Sequence, residues 1–97
     1  MMKPKNMKDK TIGILGLGIS GKSVFKCLEA AGSTVYAYDD NTSSDLLVTN
    51  PNKWPWYELD QIIVSPGIPL THPLIKKAKK LKIQINNEID IFARSLP

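Results

Sequence analysis

Three glycines at fixed spacing, in Gly16-Leu17-Gly18-Ile19-Ser20-Gly21, constrain this chain more than any other feature. The run fits G-x-G-x-x-G, and its flanks supply the context such a run needs. Thr11 to Leu15 before it is short, apolar and rich in isoleucine, as in a buried parallel strand, and Ser20 to Ala31 after it carries apolar residues at helical spacing. A strand passing directly into a helix uses the first glycine for the tight turn. The second lets a ligand approach the backbone, and the third lets helix pack close to strand. Free N–H groups at the helix N-terminus then face an anion such as a diphosphate, and the Ser20 hydroxyl can add a donor. Gly18, Ile19, Ser20 and Gly21 are therefore the candidate binding turn; the bland alternative is a turn that only joins strand to helix.

The helix has Val24, Leu28 and Ala31 on one face with Cys27 beside them, and Gly32 stands where a C-terminal glycine ends a helix. Thr34 to Tyr38 is again β-branched and aromatic and closes on Asp39 and Asp40, which completes a βαβ unit. Asp39 at the end of the second strand can accept hydrogen bonds from a ribose hydroxyl or a base N–H, or be a solvated turn carboxylate. Asp40 reads as a turn residue. If Asp39 serves a ligand, its replacement by alanine should weaken binding with little effect on the melting temperature.

Asn41 to Trp56 has no legible conformation, and only Leu46 to Val48 could make a short apolar element. Trp54, Trp56 and Tyr57 either stack on a base or anchor this loop to the core. Gln61 to Ser65 reads as a strand stopped by Ser65-Pro66-Gly67-Ile68-Pro69, with Gly67 permitting an unusual φ. This loop should open at the same sheet edge as the glycine turn. Thr71 or His72 can cap a helix that begins with Pro73 and buries Leu74, Ile75, Ala78 and Leu81, while Lys76, Lys77, Lys79, Lys80 and Lys82 cover the rest. Ile83 to Ile85 is a short strand, and Ile89, Phe92 and Ala93 have helical spacing. The expected architecture is a three-layer, Rossmann-like α/β domain with a mostly parallel sheet of about five strands.

At 97 residues the chain is expected to be one domain over residues 11–97, preceded by a loose lysine-rich leader over residues 1–10. A hydrophobic fraction of 42% with 23% charged residues argues against disorder and against a membrane class. Cys27 is the only cysteine, which excludes an internal disulfide and suits a reducing cytoplasm; it is expected in the core. His72, the one histidine, reads as a helix-terminus residue rather than a metal ligand. No apolar segment follows the basic start, and no run approaches the roughly 18 apolar residues of a spanning helix, so neither export nor insertion is expected. Much of the net charge of +4 lies in the leader and the lysine helix, without the interleaved aromatics of a nucleic-acid face.

Two stretches together, Gly16 to Ser23 and Ile63-Val64-Ser65-Pro66-Gly67-Ile68-Pro69, resemble the N-terminal domain of the Mur ligases. Thr71-His72-Pro73 and Asn87-Glu88-Ile89-Asp90-Ile91-Phe92 follow in the same order and spacing, so the resemblance runs from about Thr11 to Arg94. It implies a domain that holds the uridine diphosphate part of UDP-N-acetylmuramoyl-L-alanine, within the branch of the family that adds D-glutamate. Ile19 and Ser20 would meet the diphosphate, Asp39 and Asp40 the uridine, and Gly67 the sugar side. A family member has a basic residue where Asn41 stands. In a complete ligase, the resemblance implies, ATP phosphorylates the alanine carboxylate and D-glutamate attacks the acyl phosphate, with magnesium stabilising the charge. The resemblance assigns those steps to a downstream ATPase domain. No catalytic residue is therefore expected here. The competing readings are an NAD(P)-binding domain of a dehydrogenase or regulatory module, and an interaction domain that binds no nucleotide.

Overall fold

The computed structural model describes residues 8–41 and 47–95. Its elements alternate as β1 (Thr11–Leu15), α1 (Ile19–Ala30), β2 (Thr34–Tyr38), β3 (Gln61–Val64), α2 (Pro73–Lys80), β4 (Gln84–Asn86) and α3 (Ile89–Arg94). The apolar, β-branched runs pair as one parallel sheet in the order β2-β1-β3-β4. Side chains alternate across β1. Ile12 and Ile14 pack with Val24, Phe25 and Leu28 of α1 and with Ile89 and Phe92 of α3, whereas Leu15 joins Ile75 and Ala78 of α2 and the two tryptophans. Two helices on one face and one on the other make the three layers. Burying side chains of this size contributes about 1.5–3 kcal/mol each.

Among the described residues four strands form, against the roughly five expected. Val48 makes a single parallel bridge to Ala37 beside β2, with Thr49 N–H donating to Ala37 C=O at 2.9 Å. Pro51, which has no N–H to extend a ladder, then opens a 3-10 turn over Pro51–Lys53. Leu46, counted in that expected element, lies outside the described residues, as do residues 1–7 of the expected leader. By Asp9 the chain is held, its N–H donating to Gly32 C=O at 3.1 Å.

The segment whose conformation was illegible is anchored by its tryptophans. The Trp54 indole donates to Thr49 C=O at 2.9 Å and the Trp56 indole to Pro51 C=O at 2.8 Å, and the rings stack with centroids 5.3 Å apart. Trp54 lies flat on β1 at Gly13, where a Cβ would stand 2.7 Å from the indole. Both rings are buried and unavailable to a base; Tyr57 stands 92% exposed.

Cys27 is only half-buried, contrary to expectation, because it flanks the buried face of α1 formed by Val24, Phe25 and Leu28.

α1 and α2 end alike. Ser33 N–H donates to Leu28 C=O and Ile83 N–H to Ala78 C=O, each spanning the last turn, with a left-handed residue just before the donor. In α1 that residue is Gly32 (φ 95°); in α2 it is Lys82 (φ 61°). A side chain is costly in that conformation. Lys82→Gly is therefore expected to raise the unfolding free energy by about 1 kcal/mol, seen as a higher urea midpoint; an unchanged or lower midpoint would contradict this account of the α2 terminus.

Candidate functional site

β2, β1 and β3 end side by side at the carboxyl edge of the sheet, and the loops leaving them are hydrogen-bonded together. Gly16 N–H donates to Tyr38 C=O at 2.9 Å, and Ser65 N–H donates to Leu15 C=O at 2.9 Å. The chain leaves β1 for β2 on one side and later returns to β3 on the other, so a topological switch point lies here. Open α/β sheets leave a crevice at such points. This one has a volume of about 370 Å³ and is lined by Gly16, Gly18, Asp39, Asp40, Asn41, Ser65 and Gly67 to Pro69.

The three glycines of the turn differ in what the fold asks of them. Gly16 has φ 101°, and a Cβ on it would meet the Ser65 side chain. A Cβ on Gly21 would run into the Gly16 carbonyl oxygen, so no side chain fits there without moving backbone. Gly21 is thus buried behind the turn, where helix and turn pack backbone to backbone. Gly18 is different. Its φ of −70° and ψ of −166° suit any residue, and nothing lies within 4 Å of where a Cβ would sit. Neither backbone conformation nor internal packing requires a glycine there. Gly67 also has open space around it. The unusual φ expected at Gly67 is not found: among the described glycines positive φ is confined to Gly16 and Gly32.

α1 begins bare. Gly18 supplies no capping side chain, no acidic residue occupies the first turn, and the first helical hydrogen bond is Lys22 N–H to Gly18 C=O at 3.0 Å. The Ile19 and Ser20 amides precede that bond and lack helical acceptors. The Ile19 side chain is 92% exposed. The Ser20 hydroxyl, read from sequence as an added donor, donates to Asp90 Oδ1 on α3 at 2.5 Å. Spacing within the glycine turn carries no sign of a partner 70 residues away.

Asp39 turns inward. Its Oδ2 accepts from Leu17 N–H at 2.5 Å and its Oδ1 from Asn41 N–H at 2.7 Å, so the carboxylate ties the end of β2 to the glycine turn. Asp40 Oδ2 pairs with His72 Nε2 at 2.9 Å, and Asp40 also accepts a hydrogen bond from Tyr38. The Tyr38 phenol is raised above its usual value of 10.0, first by burial, then by the hydrogen bond to Asp40 and the charges of Asp40 and Asp39. His72 caps α2 as expected, its Nδ1 accepting from Leu74 N–H at 3.1 Å. Its link to Asp40 has no counterpart in the sequence reading.

Two larger hollows lie elsewhere. One of about 680 Å³ shares Asp40 with the crevice and runs past Tyr38, Asn50, Asn52 and His72. The other, about 710 Å³, lies between α2 and Trp54–Glu58 and is remote from the glycine turn. Size favours that second hollow, but its tryptophans are buried, whereas the smaller crevice reaches Gly18 at the bare start of α1. Among the described residues no three His, Cys, Asp or Glu side chains cluster as metal ligands, and no helix is long and apolar enough to cross a membrane.

A family model described as Mur ligase MurD-like, N-terminal domain, matches residues 10–87. The chain belongs to that family. Among its curated relatives, a UDP-N-acetylmuramoylalanine--D-glutamate ligase of Rickettsia bellii is 37% identical over 88% of this chain. Proteins of the same name from a Brugia malayi Wolbachia and from Caulobacter vibrioides are 28% and 26% identical over 94% and 99% of it. The chain spans about one fifth of their length, 21–23%. In this MurD-like domain the matched stretch takes in the glycine turn, Asp39, Asp40 and the Ser65-Pro66-Gly67 loop, and stops just short of α3. Of the residues expected at a ligand, the structure brings Gly18, Asp39, Asp40 and Gly67 to one crevice, with Ile19 and Ser20 beside it in the first turn of α1. Asp90 went unassigned in the sequence reading, although it stands within the Glu88-Ile89-Asp90 stretch of the family resemblance.

The engagement of Asp39 overturns the expectation that its loss leaves stability unchanged. Asp39→Ala strands two backbone N–H groups and is expected to cost about 1–3 kcal/mol. Urea unfolding checks this: a clear drop in midpoint is expected, with Asp39→Asn between mutant and wild type because its amide keeps one acceptor oxygen. A midpoint equal to wild type would return Asp39 to the status of a free ligand contact.

Proposed function

We propose that this domain binds the uridine diphosphate end of UDP-N-acetylmuramoyl-L-alanine, as the substrate-holding part of a peptidoglycan-building ligase that joins D-glutamate to it. The observation that carries the reading is Gly18. It is exposed, sterically unconstrained and set at the bare start of α1, so openness toward a ligand is the remaining reason for a glycine. The diphosphate would lie over Gly18 and accept from the Ile19 and Ser20 amides, with the α1 dipole favouring its charge. The sugar side would run toward Gly67, and the uridine toward Asp40, which borders both the crevice and the hollow beside it. The names of the relatives support the substrate and the acceptor amino acid.

ATP and magnesium, implied for a complete ligase, have no fitting donor set here. Gly16 to Ser23 fits G-x-x-x-x-G-K-[ST] in letters, but α1 already begins at Ile19, inside the stretch a P-loop leaves open, and among the described residues no three His, Cys, Asp or Glu side chains cluster as metal ligands. Its contribution is to bind and orient, and the phosphoryl and amide-forming steps, in a cytoplasmic enzyme, are assigned to an ATPase domain acting with it. Against the NAD(P) reading stands the family match, a Mur ligase MurD-like N-terminal domain over residues 10–87.

An NMR titration separates the readings. UDP-N-acetylmuramoyl-L-alanine is expected to shift the amides of Gly18, Ile19, Ser20 and Gly67 while NAD leaves them in place, and Gly18→Val should abolish the shifts in a folded protein. Shifts with NAD alone would support the dinucleotide reading, and undiminished binding by Gly18→Val would support an interaction domain whose glycines serve only the turn.

A further inference from the structure

The Ser20 hydroxyl has one proton to give, and in this structure it goes to Asp90. Asp90 is not on a loose loop. It is the second residue of α3, between Ile89 and Phe92, which are buried against α1 at 1% and 6% exposure. The fold therefore holds a carboxylate beside the first turn of α1, where the bare amides and helix dipole favour an anion. None of the residues lining the crevice is a lysine or arginine. A diphosphate arriving there meets amide donors, one hydroxyl already committed, and a fixed negative charge.

Resting on the proposed diphosphate turn, we infer that Asp90 is a positioning and specificity residue that competes with the ligand's phosphates for the Ser20 hydroxyl. In the free protein Asp90 holds the Ser20 hydroxyl. When a diphosphate binds, the hydroxyl rotates its proton to a phosphate oxygen and Asp90 is left unpaired beside like charge. The resulting penalty falls on the phosphates and spares the nucleoside. Asp90 thus lowers affinity for any ligand held by its diphosphate alone and raises the relative weight of the uridine and sugar contacts.

Calorimetric titration with UDP and with uridine, on the 97-residue chain, tests this in wild type, Asp90→Asn, Ser20→Ala and the double variant. Asparagine keeps the size and the acceptor oxygen while removing the charge. Asp90→Asn is expected to bind UDP about fivefold more tightly than wild type, with uridine affinity unchanged. In the Ser20→Ala background that gain should shrink, because the contested hydroxyl is gone. A wild type that prefers UDP to uridine, with Asp90→Asn no tighter for UDP, would overturn the inference and leave the diphosphate turn standing. An equal gain for uridine, or a full gain without Ser20, would also overturn it. A wild type that does not distinguish UDP from uridine would sink the diphosphate reading, and the inference with it.

Discussion

The carboxyl edge of this domain depends on one close approach of backbone to backbone, Gly21 of α1 against the carbonyl oxygen of Gly16. No side chain fits between them, so the helix starts directly over the turn that ends β1. That placement lets Val24, Phe25 and Leu28 reach the sheet and leaves Gly18 as the outermost point of the turn. A second restraint comes from Asp39, whose carboxylate grips the Leu17 amide from the end of β2. The loop after β3 closes the third side, with Ser65 against Gly16. The bare start of α1 is thus held in position by contacts that do not use the amides it presents.

The chemistry of the crevice is unusual for an anion site. Backbone dipoles and amide donors are its attractive elements, while Asp39, Asp40 and Asp90 stand around it. Asp39 accepts from the Leu17 and Asn41 amides and Asp40 pairs with His72, so both are held in place by the fold. In the proposed role these carboxylates discourage loosely matched anions. Affinity would then rest on recognition along the whole ligand, from uridine through diphosphate to sugar, which fits a domain whose task is to hold one end of a substrate for chemistry done elsewhere.

Much of this was legible in the sequence because local patterns dictate it. The strands at Thr11, Thr34 and Gln61 and the α2 stripe of Ile75 and Ala78 follow from apolar spacing, and the glycine turn from its flanks. What was not legible depends on contacts distant in sequence. The segment before β3 is organised by Trp54 lying on Gly13, a fit visible only once β1 is in place. Cys27 fell outside the core because the buried face of α1 centres on Val24, Phe25 and Leu28. The tie from Asp39 to the Leu17 and Asn41 amides was not legible because spacing cannot show it, nor can the spacing around Ser20 show Asp90.

The most direct test of the central claim is a crystal structure of the domain bound to UDP-N-acetylmuramoyl-L-alanine. The account predicts phosphate oxygens within hydrogen-bond distance of the Ile19 and Ser20 amides, over Gly18, with the Ser20 hydroxyl released from Asp90. A diphosphate seated instead in the hollow between α2 and Trp56, against Lys76 and Lys80, would contradict it.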